Sequence, residues 1–117
     1  MIRGVGVDLI GLERFERALN RTPRLIERLF DESERNASMR TLAGRFAAKE
    51  AFIKAVGDPR GMRWREVRIV SDSVGKPNIV IAGDTERFVT ARGISSLHLS
   101  ITHDAGVACA FVVAEGD

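Results

Sequence analysis

Tyrosine is absent from this 117-residue chain, and tryptophan and cysteine occur once each. A lone cysteine, Cys109, excludes an intramolecular disulfide framework and any CxxC metal knuckle. With one Trp and six Phe, mostly in apolar patterns, the chain lacks the aromatic stacking platform that a nucleic-acid-binding surface would want. No uninterrupted apolar run approaches the roughly 18 residues that a membrane span requires. The opening MIRGVGVDLIGLER lacks the basic-then-apolar layout of a signal peptide, because Asp8 interrupts its short apolar run. A reducing cytoplasm is the expected setting, with neither nucleic acid nor membrane as partner. Lysine is scarce as well: Lys49, Lys54 and Lys76 stand against fifteen arginines, at a net charge of +2. Codon bias accounts for much of that ratio. The functional alternative is phosphate or carboxylate binding, which suits the planar guanidinium fork better than an ammonium.

What is present fits one domain over residues 1–117: 44% hydrophobic and 29% charged residues allow an ordinary core. At this size roughly two-thirds of the unfolded chain's surface can be buried. Residues 2–9 read as a strand, with Val5, Val7 and Leu9 on one face and Gly4, Gly6 and Asp8 on the other. Those glycines would let another backbone or a ligand approach closely. Leu12, Phe15 and Leu19 have helical spacing, Thr22-Pro23 reads as the start of a second helix through Phe30, and Asp31 to Glu34 as a capped short turn. A longer helix is expected over residues 41–56, stopped by Gly57 and Pro59. Two strands around Val74-Gly75-Lys76-Pro77 follow. After them come a helix over residues 85–91 capped by Asp84, and two last strands around a His103-Asp104-Ala105 turn. The pattern β-ααα-ββ-α-ββ predicts an α+β fold, an antiparallel sheet packed against a long central helix.

That helix, RFAAKEAFIKA, has no clean polar face. Leu42, Phe46 and Ile53 form one stripe, Glu50 and Lys54 lie beside it, and Arg45 and Lys49 lie on its far side. Ala51, Gly44, Ala55 and Ala48 make a small-residue surface suited to close packing, so the helix is expected to be central and covered. By spacing alone Glu50 and Lys54 are a surface i,i+4 pair worth roughly 0.3–0.5 kcal/mol, and Asp8 is a helix cap. The alternative joins Asp8 and Glu50 as carboxylates for Mg²⁺, which takes one or two such ligands plus substrate phosphates, with Lys54 one turn on. A Ser100-His103-Asp104 hydrolase is excluded because no GxSxG elbow surrounds Ser100. Two histidines and Cys109 do not make a zinc site, and GVGVDLIG lacks the third glycine of GxGxxG.

GVGVDLIGLERF, AGRFAAKEAFIKA, the Trp64 to Val67 segment with GKP after it, and HLSITH before a final apolar strand occur in that order. Together they resemble the holo-[acyl-carrier-protein] synthase family, the small 4′-phosphopantetheinyl transferases of bacterial fatty acid synthesis. The resemblance runs from Gly4 to Glu115. It implies the 4′-phosphopantetheinyl transferase fold and transfer of 4′-phosphopantetheine from coenzyme A to a serine of apo acyl carrier protein. It also implies Mg²⁺ dependence, release of adenosine 3′,5′-bisphosphate, and a homotrimer with sites at the subunit interfaces. Position by position, it makes Asp8 and Glu50 metal ligands and Lys54 a contact to coenzyme A phosphate. Arg45 and His103 fall near the 3′-phosphate, and Gly75-Lys76-Pro77 at the turn near the adenine.

Arg14, Arg21 and Arg24 match the basic region that receives an acidic carrier helix. Arg17 joins them by spacing, and Arg14, Arg17, Arg21, Arg24 and Arg28 oppose only Glu13, Glu16 and Glu27 there. For the serine proton, a metal-bound water, Glu50 and His103 are the candidate acceptors. One departure stands out: residues 31–40 are several residues shorter than the usual family segment, which borders the site. Two other classes remain at this point, a nucleic-acid-binding domain and a purely structural trimer. Coenzyme A binding that depends on Mg²⁺ separates the enzyme from both.

Overall fold

The computed structural model describes residues 1–117. Strand β1 (Ile2–Gly11) leads into helices α1 (Leu12–Arg21) and α2 (Leu25–Leu29), a 3-10 turn at Glu32–Glu34 and the long helix α3 (Met39–Val56). Two more 3-10 turns, Pro59–Gly61 and Trp64–Glu66, precede strands β2 (Val67–Ser71) and β3 (Pro77–Ile81). Helix α4 (Gly83–Ala91) and the strands β4 (Ser96–Asp104) and β5 (Val107–Glu115) complete the chain. The expected element order and α+β class hold. The strands nevertheless form two antiparallel sheets, β1-β5-β4 and the hairpin β2-β3, where one was expected.

Close packing of α3 on the three-stranded sheet sets the architecture. Ala47, Ala48, Ala51 and Ala55 of α3 and Ala110, Val112 and Ala114 of β5 share one buried cluster. On β1 the inward residues are glycines: a Cβ on Gly4 would sit 2.0 Å from the Ala55 carbonyl oxygen, and one on Gly6 would sit 1.9 Å from that of Ala51. The backbone approach anticipated at these glycines is therefore made by a helix, and no side chain fits between. The apolar residues of β1 consequently point outward. Val5, Val7 and Leu9 are 54%, 51% and 67% exposed, and Val7 pairs in register with Phe111 of β5, itself 45% exposed. A second cluster, with Phe15, Leu19, Leu29, Phe30 and Leu42, joins α1 and α2 to α3.

Several boundaries differ from the sequence expectations for identifiable reasons. Thr22 caps nothing with its side chain; its carbonyl accepts from Leu25 N at 3.0 Å, and α2 begins only there. Helix α3 starts two residues early because Ser38 Oγ accepts from Thr41 N at 3.1 Å, and it ends at Gly57 with φ +91°. Helix α4 is not capped by Asp84. Glu66, from the preceding 3-10 turn, accepts from Asp84 N at 3.3 Å and from Thr85 N and Oγ1 at 3.0 and 2.7 Å. These bonds, that to the Thr85 hydroxyl foremost, hold the Glu66 carboxyl below the usual range. The last hairpin turns at Ala105-Gly106, both with positive φ, so His103 and Asp104 belong to β4 and not to the turn. No helix is long and apolar enough to cross a membrane.

Candidate active site

Asp8 lies on the inward face of β1, opposite Ala110 of β5, with its side chain 17% exposed. Helix α1 takes Gly11 as its N-cap with no side-chain hydrogen bond, so Asp8 caps nothing. Instead its Oδ1 lies 3.3 Å from Lys54 Nζ, which also donates to the Val7 carbonyl at 3.0 Å. The i,i+4 alternative for Glu50 and Lys54 does not form either, because Lys54 reaches across to β1. Glu50 is half-buried beside this pair and has no hydrogen-bond or ion-pair partner. Burial first, and the Asp8 charge second, push its carboxyl above the ordinary range, while Lys54 acts in the opposite direction. An unpartnered, desolvated carboxylate beside a second one is a donor set that suits a small hard cation, whose charge would relieve both costs.

Arg45, His103, Gly75 and Pro77 meet elsewhere. With Thr41, Gly44, Ile69, Ser71 and Ile101 they line an open cleft of about 240 Å³ between α3, the β2–β3 hairpin and β4. Arg45 has no carboxylate partner; its NH1 donates to the Glu34 carbonyl at 2.6 Å. His103 Nε2 lies 2.9 Å from the Arg40 carbonyl, an acceptor that keeps the proton on Nε2. Gly44 makes room for the ring, since a Cβ there would come within 3.1 Å of it. Lys76 is exposed at the tip of the same turn but does not line the cleft. None of Asp8, Glu50 and Lys54 lines it either. Five residues separate Arg45 from Glu50, so they lie about 140° apart around α3. Within one chain the structure thus holds these residues as two separate groups.

Arg14, Arg17, Arg21 and Arg24 are all exposed. Arg17 is 3.7 Å from Glu13, while Arg14, Arg21 and Arg24 have no carboxylate within salt-bridge reach. Arg14 and Glu50 both line a hollow of about 280 Å³ that is otherwise apolar, walled by Phe15, Leu25, Leu29, Phe46 and Trp64 among others. Three of these aromatics stack in sequence, Phe15 on Phe46 at 5.3 Å and Phe46 on Trp64 at 5.8 Å. A larger cleft of about 510 Å³ between β3, α4 and β4 offers only Glu86 as an ionisable group and has no visible chemistry.

Sequence reasoning missed the hollow, whose walls come from β1, three helices and a turn. It also missed the pairing of Lys49 with Glu34, fully buried at 2.7 Å. Lys49 donates further to the carbonyls of Leu29 at 2.7 Å and Trp64 at 3.0 Å and lies 4.9 Å from the Phe30 ring centroid. Burial pushes its ammonium below the usual lysine range, opposed by Glu34. The signal was there: a lysine in a helix without a polar face must find a buried partner.

A long helix is thus laid on an antiparallel sheet by small residues, with Asp8 and Glu50 on one flank and the cleft of Arg45 and His103 on the other. The chain belongs to the 4′-phosphopantetheinyl transferase superfamily, whose family model matches residues 4–112. Within it, the similar proteins are holo-[acyl-carrier-protein] synthases. That of Clavibacter michiganensis is 51% identical over all of this chain and 98% of its own length, and that of Leifsonia xyli 52% identical over all of this chain and 99% of its own. Among solved structures, the Neisseria meningitidis synthase has a TM-score of 0.89 at 34% identity, covering 98% of this chain and 99% of that one. The Bacillus anthracis synthase, solved in complex with coenzyme A (3′,5′-ADP), has a TM-score of 0.82 at 34% identity, covering 100% and 99%.

Proposed function

We propose that this chain acts as a single domain that transfers 4′-phosphopantetheine from coenzyme A to a serine of an apo acyl carrier protein, releasing adenosine 3′,5′-bisphosphate. One observation carries this reading: the unpartnered Glu50 beside Asp8 and Lys54, on the same helix as the unneutralised Arg45 of the basic cleft. The full-length similarity to synthases, one of them solved with coenzyme A, supports the substrate. Asp8 and Glu50 would hold Mg²⁺, which when bound supplies Lewis-acid polarisation of the pyrophosphate. Lys54 offsets the charge that develops as the serine oxygen bonds to the β-phosphorus and the bond to the bridging oxygen breaks. Arg45 and His103 hold the 3′-phosphate, with Gly75, Lys76 and Pro77 beside the adenine. Of the two side chains that could accept the serine proton, Glu50 has the better case, because it lies beside Asp8 and Lys54 whereas His103 lies in the separate cleft. The unpaired Cys109 supports a reducing cytoplasmic setting, and the carrier substrate a role in fatty acid synthesis. The direct test incubates the full chain with apo carrier protein, coenzyme A and Mg²⁺, and looks by mass for phosphopantetheine on the carrier. An unmodified carrier serine would reject the reading.

Glu50 also makes metal binding pH-dependent. A carboxylate whose folded pKa is raised above its unfolded value binds more protons when folded. The metal-free protein therefore loses stability as pH rises through that interval. Cation binding runs the other way, because it needs the deprotonated form. Mg²⁺ affinity by calorimetry is expected to climb as pH rises from about 4.5 towards neutrality. In Glu50→Gln that climb should flatten.

A trimer with shared sites is part of the same proposal. The outward row of Val5, Val7, Leu9 and Phe111 is an exposed apolar face that a neighbouring copy would cover. The two half-sites on opposite flanks of α3 support completion by a neighbouring copy in a cyclic assembly. Sedimentation should find a trimer at micromolar concentration, and a stable, active monomer would reject it.

The exposed arginines of α1 and α2 fit an acidic carrier helix, and the apolar hollow behind Arg14 extends that surface. Exposed charge pairs act mainly through association rate and are screened by salt. Reversing Arg14 and Arg21 to Glu should raise the Michaelis constant for the carrier about tenfold and weaken its salt dependence. The constant for coenzyme A should stay unchanged. A double reversal that weakened coenzyme A binding and spared the carrier would move these arginines into the nucleotide pocket.

A further inference from the structure

We infer that Glu34 is a positioning residue for the basic cleft, holding Arg45 and the facing strand β2 in register; this rests on the reading of that cleft as a phosphate site. Glu34 ends the short 3-10 turn at Glu32–Glu34. Its carboxylate, 1% exposed, has every bond it needs. Oε1 accepts from Lys49 Nζ at 2.7 Å and from Asp31 N at 2.9 Å, and Oε2 accepts from Ile69 N at 3.0 Å. The carbonyl of the same residue accepts from Arg45 NH1 at 2.6 Å. One residue therefore fixes two walls of the cleft, the guanidinium on α3 and the Ile69 strand opposite it.

Two features make this more than a structural bond. A buried ion pair is a poor device for stability alone, because apolar residues of the same volume do as well. The acceptor that Glu34 offers Arg45 is a neutral carbonyl, and it orients the fork without cancelling its charge. A carboxylate in that place would occupy the guanidinium and close it to an anion. The Glu34 charge is instead spent on Lys49, away from the cleft.

The test compares the affinity of the full chain for adenosine 3′,5′-bisphosphate with that for adenosine 5′-monophosphate, by calorimetry. Glu34→Asp keeps the charge against Lys49 but draws the carboxylate back by one methylene. It is expected to weaken bisphosphate binding about tenfold and leave the monophosphate unchanged. In turnover the same change should raise the Michaelis constant for coenzyme A and spare kcat. Equal loss for both nucleotides, or no loss in a folded variant, overturns the inference.

Should Glu34→Asp not fold, the neutral pair Glu34→Gln with Lys49→Met serves in its place. It keeps the core volume but leaves one amide oxygen for two facing donors, Asp31 N and Ile69 N, so the hold on β2 is weakened and the preference for the bisphosphate should still be lost. A folded pair with the wild-type preference overturns the inference equally. Arg45→Ala separates the two levels of argument. If it leaves the bisphosphate preference intact, the phosphate reading of the cleft itself is wrong. If it abolishes the preference while the Glu34 variants retain it, only the role of Glu34 falls.

Discussion

Replacing either Asp8 or Glu50 with alanine is expected to lower phosphopantetheine transfer about a thousandfold at limiting Mg²⁺, a loss of about 4 kcal/mol of transition-state stabilisation. The fold should survive both changes. The Asp8 carboxylate bonds only to Lys54, whose side chain is 54% exposed, and an ion pair that open contributes under about 1 kcal/mol. Glu50 has no partner to lose, and its removal relieves Asp8 of a neighbouring like charge. The metal-free Glu50→Ala protein should therefore unfold at a temperature no lower than wild type while its turnover collapses. Opposite effects on stability and activity are the mark of a functional carboxylate. Turnover near wild type in either variant at limiting Mg²⁺ would reject the assignment.

The second large effect lies in the core. Lys49→Met should destabilise the chain by about 3–5 kcal/mol, because it leaves the Glu34 carboxylate buried without a counter-charge. Adding Glu34→Gln removes the buried charge and should recover part of that loss, the Leu29 and Trp64 carbonyls still lacking their donor, so the double variant is expected to be the more stable of the two. Denaturant midpoints at unchanged slope would measure both. If the double variant were instead the sum of two large losses, the pair would contribute net stability of its own, against the desolvation argument.

Which parts of this were legible in the sequence follows from the range of the interactions involved. The covered character of α3 is written into its alanines and its missing polar face, and Gly57 marks its end. The alternation along β1 identifies a strand but misleads about its faces. Hydrophobicity would turn Val5, Val7 and Leu9 inward, whereas the approach of α3 admits only glycine there. Cap residues from elsewhere in the chain are invisible locally: nothing near Asp84 announces that Glu66 will bond the first turn of α4. Asp8, Glu50 and Lys54 show the same limit. Their spacing favours a helix cap and an i,i+4 pair over a shared cation, and the resemblance to a family tipped the choice to the cation; the fold forms neither local alternative. Arg45 and His103 came by the same route, and the cleft brings them together from α3 and β4. Lys49 and Glu34 lie fifteen positions apart with a turn between them, and no periodic pattern links them.

The scarcity of aromatic hydroxyls and indoles has a practical consequence at Trp64. It is the chain's single indole, and no tyrosine competes with it. Its ring closes the stack with Phe46 at the wall of the hollow, and its carbonyl receives one of the three bonds from Lys49. Intrinsic fluorescence therefore comes from one spot, between the hollow beside Arg14 and the buried pair behind it. An apolar group entering the hollow shifts the emission to the blue, and failure of the Lys49 network exposes the same ring and shifts it to the red. The chain carries its own optical reporter, and the two events it reports move the signal in opposite directions.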